Sequence, residues 1–419
     1  MKIIIHRGTD QIGGCVTEYE YNGFRLFVDY GEQLLGAKKS VPLEIDGLTK
    51  GDLSKSALLI THYHGDHIGC IKDLPKELPI YMGRLGKDIQ LALSEHLSYV
   101  DGEQNLIIER LNATKSFILR HLFAFGDFSI TPITIDHSAF DAYSFVIEAN
   151  GIKVLHTGDF RMHGFRSKKI KEMIEKFIGR VDYVVCEGTN VARPNSASLS
   201  ERELQCQFEA AFKQKGGHIV FLSSTNIDRL FSLYHAALKA EMPFLVDAYQ
   251  KKIMDVVADS DSLWGKARLY NYGKYHPIVL QREGNDFKVN EKFKTALTKN
   301  GYVLIARANE RFYKLIEKLP CGKTKYLSMW KGYIDETEEA YNDMLAKSLG
   351  KNYKYLHTSG HCDMNDMRAF FTMLQPKAII PIHTDNPDGF AEIFGKEWHV
   401  VKLHDGDTFS TNTANIEYH

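Results

Sequence analysis

A histidine-rich stretch follows the apolar run Ser56-Ala57-Leu58-Leu59-Ile60 and constrains this chain more than any other feature. It reads Thr61-His62-Tyr63-His64-Gly65-Asp66-His67-Ile68-Gly69. The apolar run predicts a buried strand, so the histidines sit where a strand runs out into a loop. His62 and His64 are two apart and point the same way on extended backbone. Gly65 lets the chain turn sharply before Asp66 and His67. That geometry aims one pair of side chains at one metal ion and the next pair at a second. Imidazole with carboxylate suits zinc, and also manganese or iron. The plainer explanation is a polar loop that is only coincidentally rich in histidine. Tight spacing of four ligand-type residues argues against it.

With 419 residues the chain exceeds one usual compact core, so two domains are expected. Apolar content of 44% and charged content of 25% describe an ordinary globular protein, not a disordered or fibrous one. No apolar run reaches membrane-spanning length, and the run at Met1–His6 is too short for a signal peptide. The 6 cysteines lack a CxxC pair and read as reduced thiols in a cytoplasmic protein. A net charge of −1 excludes a global basic field, so RNA or DNA would have to bind in a local groove.

Strands are expected at Lys2–His6, Val16–Tyr21 and Phe24–Asp29, with Asn22-Gly23 as a hairpin turn. Phe128–Ile135 runs as a strand into Asp136-His137-Ser138. Tyr143–Glu148 and Ile152–His156 pair across Asn150-Gly151, and the second delivers Thr157-Gly158-Asp159. Asp182–Cys186 ends in Glu187-Gly188-Thr189-Asn190. Ala192–Ser200 has the composition of a linker. Beyond it strands alternate with helices, including one at Glu336–Leu349, which predicts a parallel α/β sheet. Strand-end histidines return only at His361 and His383. Residues 196–351 are therefore read as an insertion into a first domain made of 1–195 and 352–419. The last strands are expected near Trp398–Leu403 and past the Asp405-Gly406 turn.

His62-x-His64-x-Asp66-His67 resembles the central motif of the metallo-β-lactamase superfamily. That resemblance implies an αββα sandwich with a one- or two-metal site along the sheet edges. Asp29 matches the first motif, a carboxylate beneath the metal loop, and His137 and Asp159 match the third and fourth. His357-Thr358-Ser359-Gly360-His361, followed by a helix and Ile379-Ile380-Pro381-Ile382-His383, resembles the β-CASP nucleases, and among them the ribonuclease J group. In that group the inserted β-CASP domain caps the core and forms an RNA groove. Glu187 stands at the group's motif A, His361 at motif B and His383 at motif C. Phe221 to Arg229 resembles the first β-CASP strand and helix entry.

The resemblance implies a role for each residue. His62, His64 and His137 would hold one divalent ion; Asp66, His67 and His383 would hold the other; Asp159 would bridge both. Zinc is the first expectation for the two ions, with manganese or magnesium as alternatives. A hydroxide between them would attack phosphorus. His361, partnered by Glu187, would serve proton transfer, since imidazole ordinarily titrates near neutral pH. Asp66 and Asp159 would be catalytic through the metals. His357, Ser359 and Gly360 would contact substrate phosphate.

The chain also departs from that group. Ala306-Arg307-Ala308-Asn309-Glu310-Arg311 replaces a Gly-Ser-Gln-Gly-Glu stretch, and Thr384-Asp385 replaces Gly-Glu after the motif C histidine. The sequence stops at His419, short of the group's additional C-terminal domain. The leading expectation is a 5′→3′ exoribonuclease acting on single-stranded RNA, with DNA as a second substrate, no membrane partner, and homodimerisation left open. The alternatives are a small-molecule metallohydrolase on the same core and an RNA-binding module without catalysis.

Overall fold

The structure is a computed structural model that describes residues 1–34, 41–193, 198–269, 272–320 and 322–411. Part of the expected linker, 194–197, with the boundary placed at 195/196, lies outside the described residues, as does Cys321. Two compact units result: Met1–Met162, Arg166–Ala197 and Gly360–His419 form the first, and His163–Phe165 with Ser198–Ser359 the second.

Two sheets build the first unit. One runs, in spatial order, Thr408–Ser410, Lys2–Arg7, Val16–Tyr21, Phe24–Val28, Ser56–Leu59, Ile80–Met82 and Lys115–Ser116. The other runs Ala378–Ile382, Tyr183–Glu187, Ile152–His156, Tyr143–Ala149, Phe128–Thr134 and Phe123–Phe125. Asn22 and Gly23 (φ 49° and 77°) and Asn150 and Gly151 (φ 51° and 71°) all take the left-handed conformation. That is what a two-residue hairpin needs to match strand twist. Ile3, Leu26 and Leu59 from the first sheet share one core with Phe145, Val154, Val185 and Ile380 from the second. Helices Arg84–Leu97 and Met364–Leu374 bury their apolar faces, through Leu85, Ile89 and Ala92 and through Met367, Phe370 and Phe371. This is the αββα class read from the sequence.

Strand direction places the site. Ile152–His156, Tyr183–Glu187 and Ala378–Ile382 are mutually parallel neighbours. Their C-terminal ends therefore deliver Asp159, Glu187 and His383 to one edge. Phe24–Val28 and Ser56–Leu59 are also parallel, and deliver Asp29 and the histidine loop. One expected strand is absent. Over Trp398–Leu403 only an isolated bridge between Ile379 and Val400 forms. Ile379 N donates to His399 O and Val401 N to Ile379 O, and no further ladder bond follows.

The second unit holds a six-stranded sheet in the order Ile278–Val279, Phe244–Val246, Tyr302–Ala306, Gly217–Phe221, Lys323–Leu327, Tyr353–Tyr355. Every pairing in it is parallel. Its strands are joined by capped helices. Ser200 and Glu203 close a capping box on Glu201–Ala211, and Asp247 and Gln250 do so on Ala248–Ala258. The helix expected at Glu336–Leu349 starts only at Asp343, because Asn342 caps it by accepting from Leu345 N. Upstream, Asp335 instead accepts from Thr337 N and closes a turn. Tyr353–Tyr355 adds an edge strand, so this sheet continues past residue 351. No helix among the described residues is long and apolar enough to cross a membrane.

Candidate metal centre

His62, His64 and His137 converge in one group, and Asp66, His67, Asp159 and His383 in another, with ligand atoms of each group within 4.8 Å of one another. In the first group His62 Nε2 lies 3.1 Å from His64 Nδ1, and His137 Nε2 lies 3.2 Å from the same atom. In the second, His67 Nε2 is 3.2 Å from Asp159 Oδ2, and His383 Nε2 is 3.2 Å from Asp66 Oδ2. Asp159 Oδ2 faces both groups, at 3.9 Å from His62 and from His137 and 3.7 Å from His383.

Buried partners fix which nitrogen of each ring faces inward. His67 Nδ1 donates to Asp29 Oδ2 at 2.7 Å, which leaves Nε2 for the centre. Asp29 also accepts from Thr61 N and Thr61 Oγ1, both at 2.8 Å. His137 Nδ1 donates to the Gly360 carbonyl at 2.7 Å, so its Nε2 carries the lone pair. His383 Nδ1 is held by Thr189 Oγ1 at 2.8 Å. His383 sits at φ 52°, unusual for a residue other than glycine, asparagine or aspartate, while Asp29 at φ 62° takes the left-handed conformation that aspartate tolerates more readily. Gly31 permits the tight approach of the loop, since a Cβ there would lie 1.8 Å from Asp66 O.

The donor set fits divalent cations. Burial lowers the pKa of His62 and His137 and takes His64 down to about 4, so all three are neutral and ready to ligate. Three neutral imidazole nitrogens facing one another cannot satisfy each other by hydrogen bonding alone; a shared cation can. In the second group burial opposes the charge on Asp66. His67 and His383 outweigh that and bring its carboxyl to about 2. Asp159 Oδ1 is buried and has no hydrogen-bond partner in the described structure, a vacant oxygen at the junction of both groups.

His361 lies beside these ligand-type residues. Its Nδ1 is 3.0 Å from Glu187 Oε2, 3.2 Å from Glu187 Oε1 and 3.7 Å from Asp159 Oδ2. It also groups with His137 and Asp159 as a third set of ligand-type atoms. Glu187 is buried and fixed further by Phe160 N, which donates to Oε1 at 2.8 Å. Asn190 Nδ2 donates to the carbonyls of His361 and Cys362 at 3.1 and 3.0 Å, pinning the segment.

The other expected residues divide. Gly360 belongs to the first unit, and a Cβ there would meet Ser138 Oγ at 2.7 Å; its carbonyl serves His137. His357 and Ser359 belong to the second unit, where Ser359 O accepts from His163 Nε2 at 2.9 Å and His357 packs beside Tyr355. Arg307 ion-pairs with Asp247 at 2.7 Å, and Arg311 Nε donates to Asn285 O.

Sequence reasoning missed the groups that hold the His137 loop. Asp136 Oδ1 accepts from Arg161 Nε at 3.0 Å, and Asp136 Oδ2 from Arg166 N at 2.8 Å. The Arg166 guanidinium donates to the carbonyls of His137, Ala139 and Phe140. Thr189, which holds His383, was also missed. The only sequence signal was adjacency: Asp136 precedes His137, and Thr189 follows Glu187 by two.

Residues 41–214 match the family described as a β-lactamase superfamily domain. Residues 350–400 match the one described as a Zn-dependent metallo-hydrolase RNA specificity domain. Ribonuclease J of Mycoplasma genitalium is 22% identical over 416 residues, covering 91% of this chain and 67% of that protein. Ribonuclease J of Helicobacter pylori (strain B128) is 20% identical over 409 residues, covering 91% of this chain and 56% of that protein. The chain thus spans between about half and two thirds of the length of these relatives. A protein of unknown function from Enterococcus faecalis V583 shares the fold, with a TM-score of 0.71 at 18% identity over 97% of this chain and 99% of that one.

Proposed function

Because the chain belongs to the metallo-β-lactamase-fold hydrolases, in their β-CASP, ribonuclease J-like group, we propose that it is a metal-dependent phosphodiesterase of single-stranded RNA. The observation that carries this reading is the buried Glu187 carboxylate joined to His361 at 3.0 Å, beside a ligand set that does not need His361. A hydrolase of small lactones or thioesters has less use for a second acid–base pair there. The match of residues 350–400, which include His361 and His383, to an RNA specificity domain supports RNA over a small molecule.

His62, His64 and His137 would hold one divalent ion; Asp66, His67 and His383 a second; Asp159 would face both. Zinc is the ion this nitrogen-rich set suits best. Bound there, such ions lower the pKa of water and stabilise negative charge on phosphoryl oxygens. The chain's own residues do the rest. Asp29, Thr189 and the Gly360 carbonyl keep the ligand nitrogens aimed inward. Glu187 holds His361 by Nδ1 and fixes the orientation of its ring, leaving Nε2 to give a proton to the departing 3′ oxygen. Burial of Asp159 and Glu187 keeps bulk water from competing for these contacts.

The likeness of His357 to His361 to the corresponding ribonuclease J segment supports a 5′→3′ exonuclease that prefers a 5′-monophosphate and releases mononucleotides. The test is a time course of the metal-loaded protein on 3′-labelled RNAs carrying a 5′-hydroxyl, monophosphate or triphosphate, with matched DNA. Mononucleotides released first and fastest from the monophosphate are expected. Equal rates with internal fragments appearing first would remove the exonuclease claim. No cleavage of either nucleic acid would remove the phosphodiesterase claim.

A further inference from the structure

In the second unit, residues 356–359 follow directly on the edge strand Tyr353–Tyr355. Side chains of that same unit take three of their carbonyls. Ser328 Oγ donates to Leu356 O at 2.6 Å, Arg229 Nη2 to Thr358 O at a long 3.4 Å, and His163 Nε2 to Ser359 O at 2.9 Å. The three donors are themselves joined. Arg229 Nη1 donates to Ser328 Oγ at 2.5 Å. Its Nε and Nη2 donate to the two oxygens of Glu201 at 3.1 and 2.8 Å. Glu201 N in turn donates to His163 O at 3.0 Å. A closed ring results, from Thr358 through Arg229, Glu201 and His163 back to Ser359.

Arg229 and Glu201 are fully buried, and Ser328 and His163 are buried beside them. Stability alone does not call for such a pair, since packed apolar side chains of similar volume often serve as well or better. What the guanidinium adds is direction: a rigid planar fork that sends N–H donors to several partners at once. Here those partners are Glu201, Ser328 and Thr358. Ser328 has one hydroxyl proton and gives it to Leu356 O, which leaves its oxygen to accept from Arg229. The orientation of one side chain therefore fixes the backbone on both sides of His357.

We propose that Arg229 is a positioning residue for substrate specificity. This rests on the function proposed above, in which His357 and Ser359 contact the 5′ phosphate of the RNA. Arg229, oriented by Glu201 and working through Ser328 and Thr358, holds the backbone that carries those two residues. It thereby sets the preference for a 5′-monophosphate, and it acts on that backbone rather than on the reacting atoms.

The test compares kcat/KM of the metal-loaded wild type, Arg229→Lys and Ser328→Ala on matched 5′-monophosphate and 5′-hydroxyl RNAs, with metal content counted in each. Lysine keeps a charge opposite Glu201 but loses the fork. Alanine removes only the hydroxyl that links Arg229 to Leu356. Each variant should lose about tenfold on the monophosphate RNA, with little change on the hydroxyl RNA and unchanged metal content. If Arg229→Lys does not fold, Ser328→Ala still decides. Equal losses on both RNAs would make the ring a purely structural feature and overturn the proposal, and so would rates unchanged from wild type. A wild type that cleaves both RNAs at one rate, or neither, would remove the 5′ preference itself and the positioning role with it.

Discussion

Arg161 Nε donates to Asp136 Oδ1 at 3.0 Å, and both side chains are fully buried. The pair joins the loop that carries His137 to the segment just after Asp159, since Arg161 N also donates to Asp136 O at 2.7 Å. It therefore sets the spacing between a residue of one ligand group and the residue that faces both.

Removing one partner of such a pair leaves a buried charge uncompensated. Arg161→Met should destabilise the fold by about 3–5 kcal/mol. It should also loosen His137, so that metal at His62, His64 and His137 is lost before metal at Asp66, His67 and His383. Chemical unfolding, with metal content counted in parallel, checks both. Unchanged stability would show that Arg166 alone satisfies Asp136.

Asp159 has one oxygen facing both ligand groups and the other buried without a partner. Asp159→Asn removes the charge and should reduce bound divalent metal by at least one ion per chain, with activity falling accordingly. Metal analysis of purified wild type and variant measures it. Full occupancy in the variant would mean Asp159 does not bridge.

Glu18 offers a pH test away from the metals. Its buried carboxylate takes Arg25 Nε at 2.6 Å and His6 Nε2 at 2.7 Å. Burial opposes its ionisation, but the hydrogen bonds from His6 and Arg25 outweigh that and hold its pKa below the usual glutamate value of 4.5. A lowered folded-state pKa contributes stability that is present above the unfolded value and lost as pH falls through the folded one. Glu18→Gln should thus be less stable than wild type at pH 7, and the gap should close below about pH 4. Urea midpoints across this range decide it; a gap independent of pH would assign the effect to packing.

What could be read from the sequence was whatever carries chemistry in its residue type. His62, His64, Asp66 and His67 are ligand types packed into six positions, and the two Asn-Gly turns announce their hairpins through backbone sterics. What could not be read depends on pairing at a distance. Nothing in the order of residues says that Asp136 meets Arg161 and Arg166 rather than water, or that Thr189 meets His383 across 194 positions. The late start of the helix at Asp343 had the same cause: Asn342 competes for the backbone, and a polar run conceals which residue does so. The Trp398–Leu403 strand failed because an apolar run predicts burial, not a ladder partner.

His361 and His383 are both strand- or loop-end histidines near Asp159, at 3.7 Å each from its Oδ2, so distance alone does not separate their roles. Their other contacts do. His383 is 1% exposed, backed by Thr189 through Nδ1, and presents Nε2 to Asp66 at 3.2 Å, the posture of a ligand. His361 is partly exposed and turns Nδ1 to the Glu187 carboxylate, the posture of a proton donor. His383→Ala should therefore lose metal. His361→Ala should retain its metal while losing about 10²–10⁴-fold in activity. Glu187→Gln should keep metal too, with a smaller loss of activity than His361→Ala, because the carboxylate positions the imidazole rather than touching substrate. Metal counts and single-turnover rates on one RNA read all three. If His361→Ala loses an ion and His383→Ala does not, the third ligand grouping of His137, Asp159 and His361 is the one in use, and the proton must come from elsewhere.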